Sequence, residues 1–248
     1  MKVEGIGFDY GNTLVLDPFE RVVELKAFEF VRIMERNKYE VSKKRLLDAW
    51  KKINETMNYK FCSHFAQEVP LIETVLEKIG VHKRDRSKIA QQLLVAYRAG
   101  LKQELKNDKK IDKTKEVLSE LKNKGKRLIV MSNERVDTLK MQLSWTGLDR
   151  FFEKVVTSEG LGLEKPDKRI FRHLANTFGL SDENILYVGD DPERDIKPSK
   201  DMGMKAVLVK HSSEMSVKGW RDYDFKLSEN QKPDFVISDL KELISIVE

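Results

Sequence analysis

Residues 4–14 read Glu-Gly-Ile-Gly-Phe-Asp-Tyr-Gly-Asn-Thr-Leu, and this stretch decides the fold. Small and apolar residues lead into Asp9, after which Gly11 and Asn12 break the run. The pattern predicts a buried strand that ends in a tight turn, with a carboxylate at its tip. Burying a carboxylate is costly unless a metal ion or a chemical role compensates it. An Asp before Gly also caps many ordinary turns, so this stretch alone leaves both interpretations open.

Beyond position 114, short apolar strands alternate with helices. We predict strands at 127–132, 154–157, 185–189, 206–209 and 235–237, and helices at 114–123, 135–144, 167–178, 195–202 and 239–247. Such alternation builds a parallel sheet covered on both faces, and the first strand must join it because a single strand cannot bury itself. The sequence therefore predicts an α/β fold with a Rossmann-like, doubly wound parallel sheet.

Apolar residues recur at three- and four-residue steps over 17–107, which is the spacing of helices. We therefore predict an all-helical domain, 17–107, inserted after the first strand of a core formed by 1–16 and 108–248. The polar stretch 104–110 is interpreted as the connector between the two. Residues 211–234 lack clear periodicity and are predicted to form a packed surface loop.

Composition limits the partners and the compartment. The 248 residues include 46 Lys or Arg and 41 Asp or Glu, a net charge of +5, but basic and acidic residues are interleaved. A nucleic acid-binding surface needs clustered positive charge, and no run is long enough to span a membrane. No signal-peptide pattern begins the chain, and the single Cys62 suits a reducing compartment. We expect a cytoplasmic monomer or homodimer that binds neither nucleic acid nor membranes.

Polar and charged residues lie where the predicted strands end, which is the edge at which such sheets bind ligands. Asp9 ends the first strand, Ser132 and Asn133 end the second, and Asp190 follows the strand at 185–189. Lys165 lies in the loop after the strand at 154–157. Together these residues offer carboxylates for a hard divalent cation, a hydroxyl and an ammonium, which are the groups that a phosphate site needs.

Each of these residues also has an ordinary interpretation. Ser132 could cap a helix, and Lys165 could be one of many solvated lysines. Asp190, Asp191 and Pro192 could form a plain turn. The set is more specific than any member of it.

In this order and spacing, the residues resemble the motifs of the haloacid dehalogenase-like (HAD) hydrolase superfamily, over the whole chain. The first motif is an Asp that ends strand one, with Thr and Leu four and five positions later, as in Asp9, Thr13 and Leu14. The second is a hydrophobic strand that ends in Ser or Thr, here Ser132.

The third motif is a Lys that often precedes Pro, matched by Lys165. The fourth is Gly-Asp followed by a second Asp, matched by Gly189, Asp190 and Asp195. The resemblance also implies that 17–107 corresponds to the helical cap that this family inserts after strand one.

The resemblance implies a role for each matched residue. Asp9 would attack phosphorus and form an aspartyl-phosphate, and Lys165 would offset the charge of Asp9 and of the phosphate. Ser132 and the backbone N–H of Asn133 would donate to the phosphoryl oxygens. The backbone N–H groups that lead up to Thr13 would add to this phosphate cradle.

The resemblance also implies a magnesium ion as cofactor. Asp9, the backbone carbonyl of Gly11 and Asp190 would hold the ion together with the transferring phosphoryl group. Asp195, or Asp191 beside it, would hold the ion through water. The spacing fits Asp195 better.

One position departs from the family pattern. The phosphatases of this family usually carry a second Asp, the general acid and then base, two positions after the nucleophile, and here that position is Gly11. The dehalogenase branch also lacks the acid but typically has a bulky residue followed by Gly, which Gly11 and Asn12 do not match. Gly-Asn-Thr is similar instead to a phosphatase subset that includes sugar-phosphate hydrolases. Asn12 fits the turn because Asn tolerates left-handed backbone.

Loss of a positioned acid is expected to cost about 10²–10⁴ in rate if nothing replaces it. One hypothesis is a leaving group that needs little protonation, such as an anomeric or acyl phosphate. The other is a proton supplied by the cap, with Asp17, Glu20, His64 and Glu68 as candidates, although a structural role is the simpler interpretation of each.

The sequence therefore predicts a magnesium-dependent phosphatase of a small phosphorylated metabolite, with sugar phosphates among the candidates. A 2-haloacid dehalogenase in which Asp9 attacks carbon is one alternative. It is disfavoured because Asp190 and Asp195 suit a metal, which that reaction does not need. A non-catalytic binding protein of HAD fold, in which Gly11 marks the lost acid, is the other.

Overall fold

The structure, a computed structural model, describes residues 1–58, 68–210, 228 and 231–248. The chain folds into two compact units. One, the core unit, combines Met1–Leu16 with Asp108–Glu248, and the other, the helical unit, is Asp17–Asn107.

The described residues of the core unit form a six-stranded sheet. Its strands are β1 (Gly5–Phe8), β2 (Arg127–Ser132), β3 (Lys154–Thr157), β4 (Ile185–Gly189), β5 (Lys205–Val209) and β6 (Phe235–Ile237). All neighbours are parallel, in the order β3-β2-β1-β4-β5-β6. The order reverses between β1 and β4, which opens a crevice at the carboxyl ends of these two strands. The predicted α/β fold with a parallel sheet is confirmed.

Four helices make up the described part of the helical unit: α1 (Phe19–Arg36), α2 (Lys43–Asn58), α3 (Glu68–Lys78) and α4 (Lys83–Asn107). They surround an aromatic stack. The rings of Phe30 and Trp50 are 4.6 Å apart between centroids, and Tyr97 stacks on Trp50 at 6.1 Å. Within the described residues, none of the helices is long and apolar enough to cross a membrane.

Within its described residues, the core unit adds six helices, of which five lie between strands and the last follows β6. They are α5 (Lys109–Asn123), α6 (Val136–Thr146), α7 (Ser158–Leu161), α8 (Lys168–Phe178), α9 (Lys197–Asp201) and α10 (Leu243–Ile246). A π-helical turn, Pro192–Ile196, precedes α9, and a 3-10 turn, Leu240–Glu242, precedes α10.

The glycines of β1 make room for α8 on one face of the sheet. A Cβ atom at Gly7 would lie 2.7 Å from Leu174 of α8 and 2.9 Å from the ring of Tyr187. One at Gly5 would lie 3.0 Å from Leu180. The small residues that precede Asp9 thus let α8 pack close to the central strand.

Several predicted element boundaries are wrong. The stretch 104–110 does contain the boundary between the two units, but it is helical rather than a polar loop, because α4 continues to Asn107 and α5 begins at Lys109. Asp108 alone separates them, and its side chain caps α5 by accepting from the backbone N–H of Lys110. In the sequence, charged residues at the ends of two consecutive helices look like a loop, because the apolar periodicity of the helices is interrupted there. The predicted loop at 211–234 lies largely outside the described residues.

We expect Trp50→Ala to lower the free energy of unfolding by about 3–5 kcal/mol, because it empties the centre of the aromatic stack. Urea denaturation followed by circular dichroism measures the change. Val95→Ala is the matched control, since Val95 is 72% exposed on α4, and it should change stability by less than about 0.5 kcal/mol. Equal losses in the two variants would contradict the packing role of Trp50.

Candidate active site

Asp9 is the first residue beyond β1, at the crevice between β1 and β4. Its backbone N–H donates to the carbonyl oxygen of Val188 in β4 at 2.9 Å, which fixes the backbone beneath the carboxylate. The hydroxyl of Thr13 donates to Asp9 Oδ2 at 3.4 Å. Burial raises the pKa of Asp9 to about 6, against the opposing charge of Lys165. The carboxyl group is therefore mostly ionised at neutral pH.

Lys165 is buried and points at Asp9. Its Nζ lies 2.6 Å from Asp9 Oδ1, 2.6 Å from Asp195 Oδ1 and 3.3 Å from the hydroxyl oxygen of Tyr187. Burial by itself lowers the pKa of Lys165, but the carboxylates of Asp195 and Asp9 outweigh it and raise the pKa well above its ordinary value. Lys165 thus stays an ammonium, and the interpretation of it as a solvated lysine is wrong.

Three carboxylates converge at this point. One oxygen each from Asp9, Asp190 and Asp195 lies within 4.8 Å of the others. Lys165 supplies one positive charge against three negative ones. Burial and the charges of Asp9 and Asp195 raise the pKa of Asp190 well above its ordinary value. A divalent cation bound by carboxylate oxygens would relieve this repulsion, so the residues fit a magnesium ion.

Asp191 and Asp195 have different roles. The side chain of Asp191 caps the π-helical turn, accepting from the backbone N–H groups of Glu193 and Arg194 at 2.8 and 3.0 Å. Asp195 folds back from that turn, so that its Oδ2 accepts from the backbone N–H of Asp191 at 3.1 Å and its Oδ1 meets Lys165. Only Asp195 of the two belongs to the carboxylate cluster found among the described residues.

The turn after Asp9 is compact. Asn12 has a φ of 52°, the left-handed conformation that the sequence predicts for it. Its backbone N–H donates to the carbonyl oxygen of Val15 at 2.7 Å, and that of Leu14 donates to Tyr10 at 3.0 Å. A Cβ atom at Gly11 would meet no described atom within 4 Å.

Ser132 and Asn133 end β2 beside this turn. Ser132 is buried, and the interpretation of it as a helix cap is wrong because Arg135 occupies the N-cap position of α6. Within the described part of the chain, the Ser132 hydroxyl makes no hydrogen bond, which leaves it available to a ligand. The side-chain amide of Asn133 pairs with the backbone of Lys165 at 2.8 and 2.9 Å.

Two contacts of this site were not predicted from the sequence, namely that amide pairing and the hydroxyl of Tyr187. The Tyr187 hydroxyl donates to the carbonyl oxygen of Met131 at 3.2 Å and accepts from Lys165. A tyrosine in an otherwise aliphatic buried strand does carry a signal, because its hydroxyl needs a partner. The amide of Asn133 carries no comparable signal in the sequence.

Two of the proposed proton donors of 17–107 have structural contacts within the helical unit. Asp17 Oδ1 accepts from the backbone N–H of Phe19 at 2.9 Å at the start of α1. Glu68 forms an ion pair with Arg98, whose Nε lies 3.1 Å from Glu68 Oε2. Glu20 is exposed in the first turn of α1. His64 lies outside the described residues.

Fold and site together define an α/β protein with an acidic cluster at the switch point of its parallel sheet. The sequence model of the haloacid dehalogenase-like hydrolases matches residues 44–209, more than half of the chain. The chain belongs to this family, and the predicted resemblance is confirmed.

Curated relatives include phosphatases. The chain is 34% identical over 135 residues to the glyceraldehyde 3-phosphate phosphatase of Methanocaldococcus jannaschii, an alignment that covers 54% of each protein. It is 32% identical over 126 residues to the phosphoserine phosphatase of Thermus thermophilus, covering 51% of this chain and 46% of the relative. The chain thus spans about half the length of the curated relatives it matches.

Solved structures match the whole chain. The HAD hydrolase YfnB from Bacillus subtilis, described as bound to magnesium, aligns with a TM-score of 0.67 at 22% identity over 99% of both chains. The 2-haloacid dehalogenase from Pseudomonas syringae aligns with a TM-score of 0.66 at 20% identity, over 98% of this chain and 97% of that one. At such identities the likeness shows the fold alone.

We expect Gly189→Ala to lower the free energy of unfolding by about 1–3 kcal/mol, because the added Cβ would lie 2.5 Å from Cβ of Asp195 and collide with its carboxylate. Thermal unfolding measures this. Gly11→Ala is the matched control, since its Cβ enters open space, and it should stay within about 1 kcal/mol of the parent protein. A Gly189→Ala variant as stable as Gly11→Ala would contradict the packing of Asp195 against β4.

Proposed function

We propose that this chain is a magnesium-dependent phosphatase of a small phosphorylated metabolite. The observation that carries the proposal is the buried contact of Lys165 with Asp9 inside the cluster completed by Asp190 and Asp195. Relatives named as phosphatases of glyceraldehyde 3-phosphate, phosphoserine and phosphoglycolate support a small anionic substrate, with sugar phosphates among the candidates.

Asp9 is the proposed nucleophile. Lys165 contacts one of its oxygens and Thr13 the other, so the carboxylate is oriented before a substrate arrives. An Asp9 oxygen attacks phosphorus, the bond from phosphorus to the leaving oxygen breaks, and an aspartyl-phosphate forms. Water then attacks that phosphorus, and inorganic phosphate leaves while Asp9 regains its carboxylate.

Lys165, Ser132 and the backbone N–H of Asn133 are the proposed phosphate-binding groups, together with the N–H groups that lead to Thr13. The fixed ammonium opposes the negative charge that collects on the phosphoryl oxygens and cannot reorient away from it, because carboxylates hold it on two sides.

Magnesium is the proposed cofactor. Asp9, Asp190 and the backbone carbonyl of Gly11 would hold it directly, and Asp195 through water. When bound, the ion neutralises charge on the transferring phosphoryl group. We further assign the helical unit as the cap domain of this enzyme, and place the enzyme in the cytoplasm as a monomer or homodimer.

The two alternative functions, a dehalogenase and a non-catalytic binding protein, explain fewer of the residues that meet at this site. A dehalogenase would have Asp9 attack carbon and would need no metal, so the convergence of Asp190 and Asp195 would serve no purpose. A binding protein without activity would have no need for an ionised Asp9 held by a buried ammonium.

We expect Asp9→Asn to lower phosphate release by at least about 10³-fold, because it removes the nucleophile but keeps the side-chain shape. Phosphate release from a panel of phosphorylated metabolites with added magnesium measures this. Treatment of the parent protein with EDTA should abolish the activity, and added magnesium should restore it.

Asp149→Asn, an exposed aspartate in the same unit, is the matched control and should keep full activity. Chloride release from 2-chloropropionate that persists in EDTA would favour the dehalogenase instead. A parent protein that turns over no phosphate ester or acyl phosphate would favour the binding protein.

Gly11 determines which substrates react well. Without an acid at this position the leaving oxygen departs unprotonated, so we propose an anomeric or acyl phosphate as the substrate, whose leaving group needs little protonation. A Cβ atom at Gly11 would meet no described atom within 4 Å, and the backbone there is not left-handed.

We expect Gly11→Asp to raise the rate on simple aliphatic phosphate monoesters by about 10²–10⁴, because it supplies the missing acid beside Asp9. Acyl phosphates should gain much less. A series of phosphate monoesters of graded leaving-group pKa measures both effects. Gly11→Asn is the control of equal size that cannot donate as an acid, and it should leave the rate profile unchanged. An equal gain in both variants would contradict the acid role.

A further inference from the structure

The side-chain amide of Asn133 satisfies both backbone groups of Lys165. Nδ2 of Asn133 donates to the carbonyl oxygen of Lys165 at 2.9 Å, and Oδ1 accepts from the backbone N–H of Lys165 at 2.8 Å. The two residues are 32 positions apart and belong to different loops. The planar amide of Asn133 thus pairs with both backbone groups of Lys165, in the way that a residue of a neighbouring strand pairs in a sheet.

This pairing is the backbone anchor of Lys165. In the ranges 1–58, 68–210 and 231–248, both backbone hydrogen bonds of Lys165 go to Asn133. The next residue, Pro166, follows through a cis peptide bond and has no N–H to offer as a further anchor. The following Asp167 caps α8, its side chain accepting from the backbone N–H of Arg169.

Two hydrogen bonds from one planar amide fix both the position and the orientation of the Lys165 backbone, whereas a single hydrogen bond would leave it free to rotate. The ammonium of Lys165 lies at the end of a four-carbon side chain with three donors, and these meet Asp9, Asp195 and Tyr187. A displaced backbone would lengthen the two contacts of 2.6 Å to the carboxylates. The geometry of the ammonium therefore depends on the amide of Asn133.

Asn133 also directly follows Ser132 at the end of β2. The strand that presents the hydroxyl to the phosphate therefore also sets the place of the ammonium. Two groups that approach the phosphate from different loops are tied to one strand end.

We propose that the side chain of Asn133 is a positioning residue, which acts by fixing the backbone of Lys165 so that its ammonium stands between Asp9 and Asp195. This inference rests on the proposed phosphatase function. It is distinct from the role of the Asn133 backbone N–H, which every substitution except proline retains.

A double-mutant cycle tests it, with p-nitrophenyl phosphate as the substrate and added magnesium. We expect Asn133→Ala to lower kcat/KM by about 10- to 100-fold and Lys165→Met by about 10²–10³-fold. The double variant should be no slower than Lys165→Met alone, because Asn133 has nothing left to position. Titration with inorganic phosphate should give the same non-additive pattern in Kd, without any turnover.

Asn184→Ala is the matched control. The side-chain amide of Asn184 donates to the hydroxyl of Ser181 over 3.2 Å and, within the described residues, makes no hydrogen bond with Lys165. This variant should keep the parent kcat/KM. If Asn133→Ala folds poorly, Asn133→Ser is the second variant. Its side chain is too short to pair with both the backbone N–H and the carbonyl oxygen of Lys165. It should show the same non-additive effect with Lys165→Met.

Losses that multiply in the double variant would mean that Asn133 acts independently of Lys165 and would overturn the inference, as would a parent-like Asn133→Ala. In both cases the parent protein still releases phosphate, so the proposed function stands. A parent protein that neither binds nor releases phosphate overturns both.

Discussion

The buried ammonium of Lys165 between Asp9 and Asp195 is the interaction on which the site depends. Carboxylates this close cannot stay ionised out of water unless positive charge lies among them. Lys165 supplies part of that charge permanently, since its neighbours raise its pKa. One ammonium cannot balance three ionised carboxylates, and so the polypeptide alone does not neutralise the cluster. That shortage of positive charge fits the divalent cation proposed for the site.

Sheet topology brings these charges together. Asp9 and Asp190 follow β1 and β4, which are neighbours in the sheet although they are far apart in the chain, and the hydrogen bond from Asp9 to Val188 ties the two strand ends. The π-helical turn then returns Asp195 toward the same crevice, which the absence of a side chain at Gly189 permits. The three carboxylates of the cluster are thus placed by strand pairing or by a capped turn.

Much of this could be predicted from the sequence, because strand ends carry strong local signals. Asp9, Ser132 and Asp190 stand at the ends of apolar runs, and parallel strands must present such residues at one edge. The sheet and its strand bounds follow from the same runs. Hydrogen-bond partners between loops could not be predicted. The pairing of Asn133 with Lys165 joins two loops whose distance from each other is fixed only by the tertiary structure. The capping of α5 by Asp108 could not be predicted either, because capping by one side chain leaves almost no trace in hydrophobic periodicity.

In the turn after Asp9, the groups that fix the backbone are separate from position 11, which is proposed to govern the preference among leaving groups. Its course is set by the left-handed Asn12 and by bonds to Tyr10 and Val15, none of which involves a side chain at position 11. The proposed nucleophile, its ammonium and its proposed metal ligands can therefore remain in place while that neighbouring residue is exchanged. In such an arrangement, a preference among leaving groups can be altered at one position without rebuilding the backbone that holds the carboxylates.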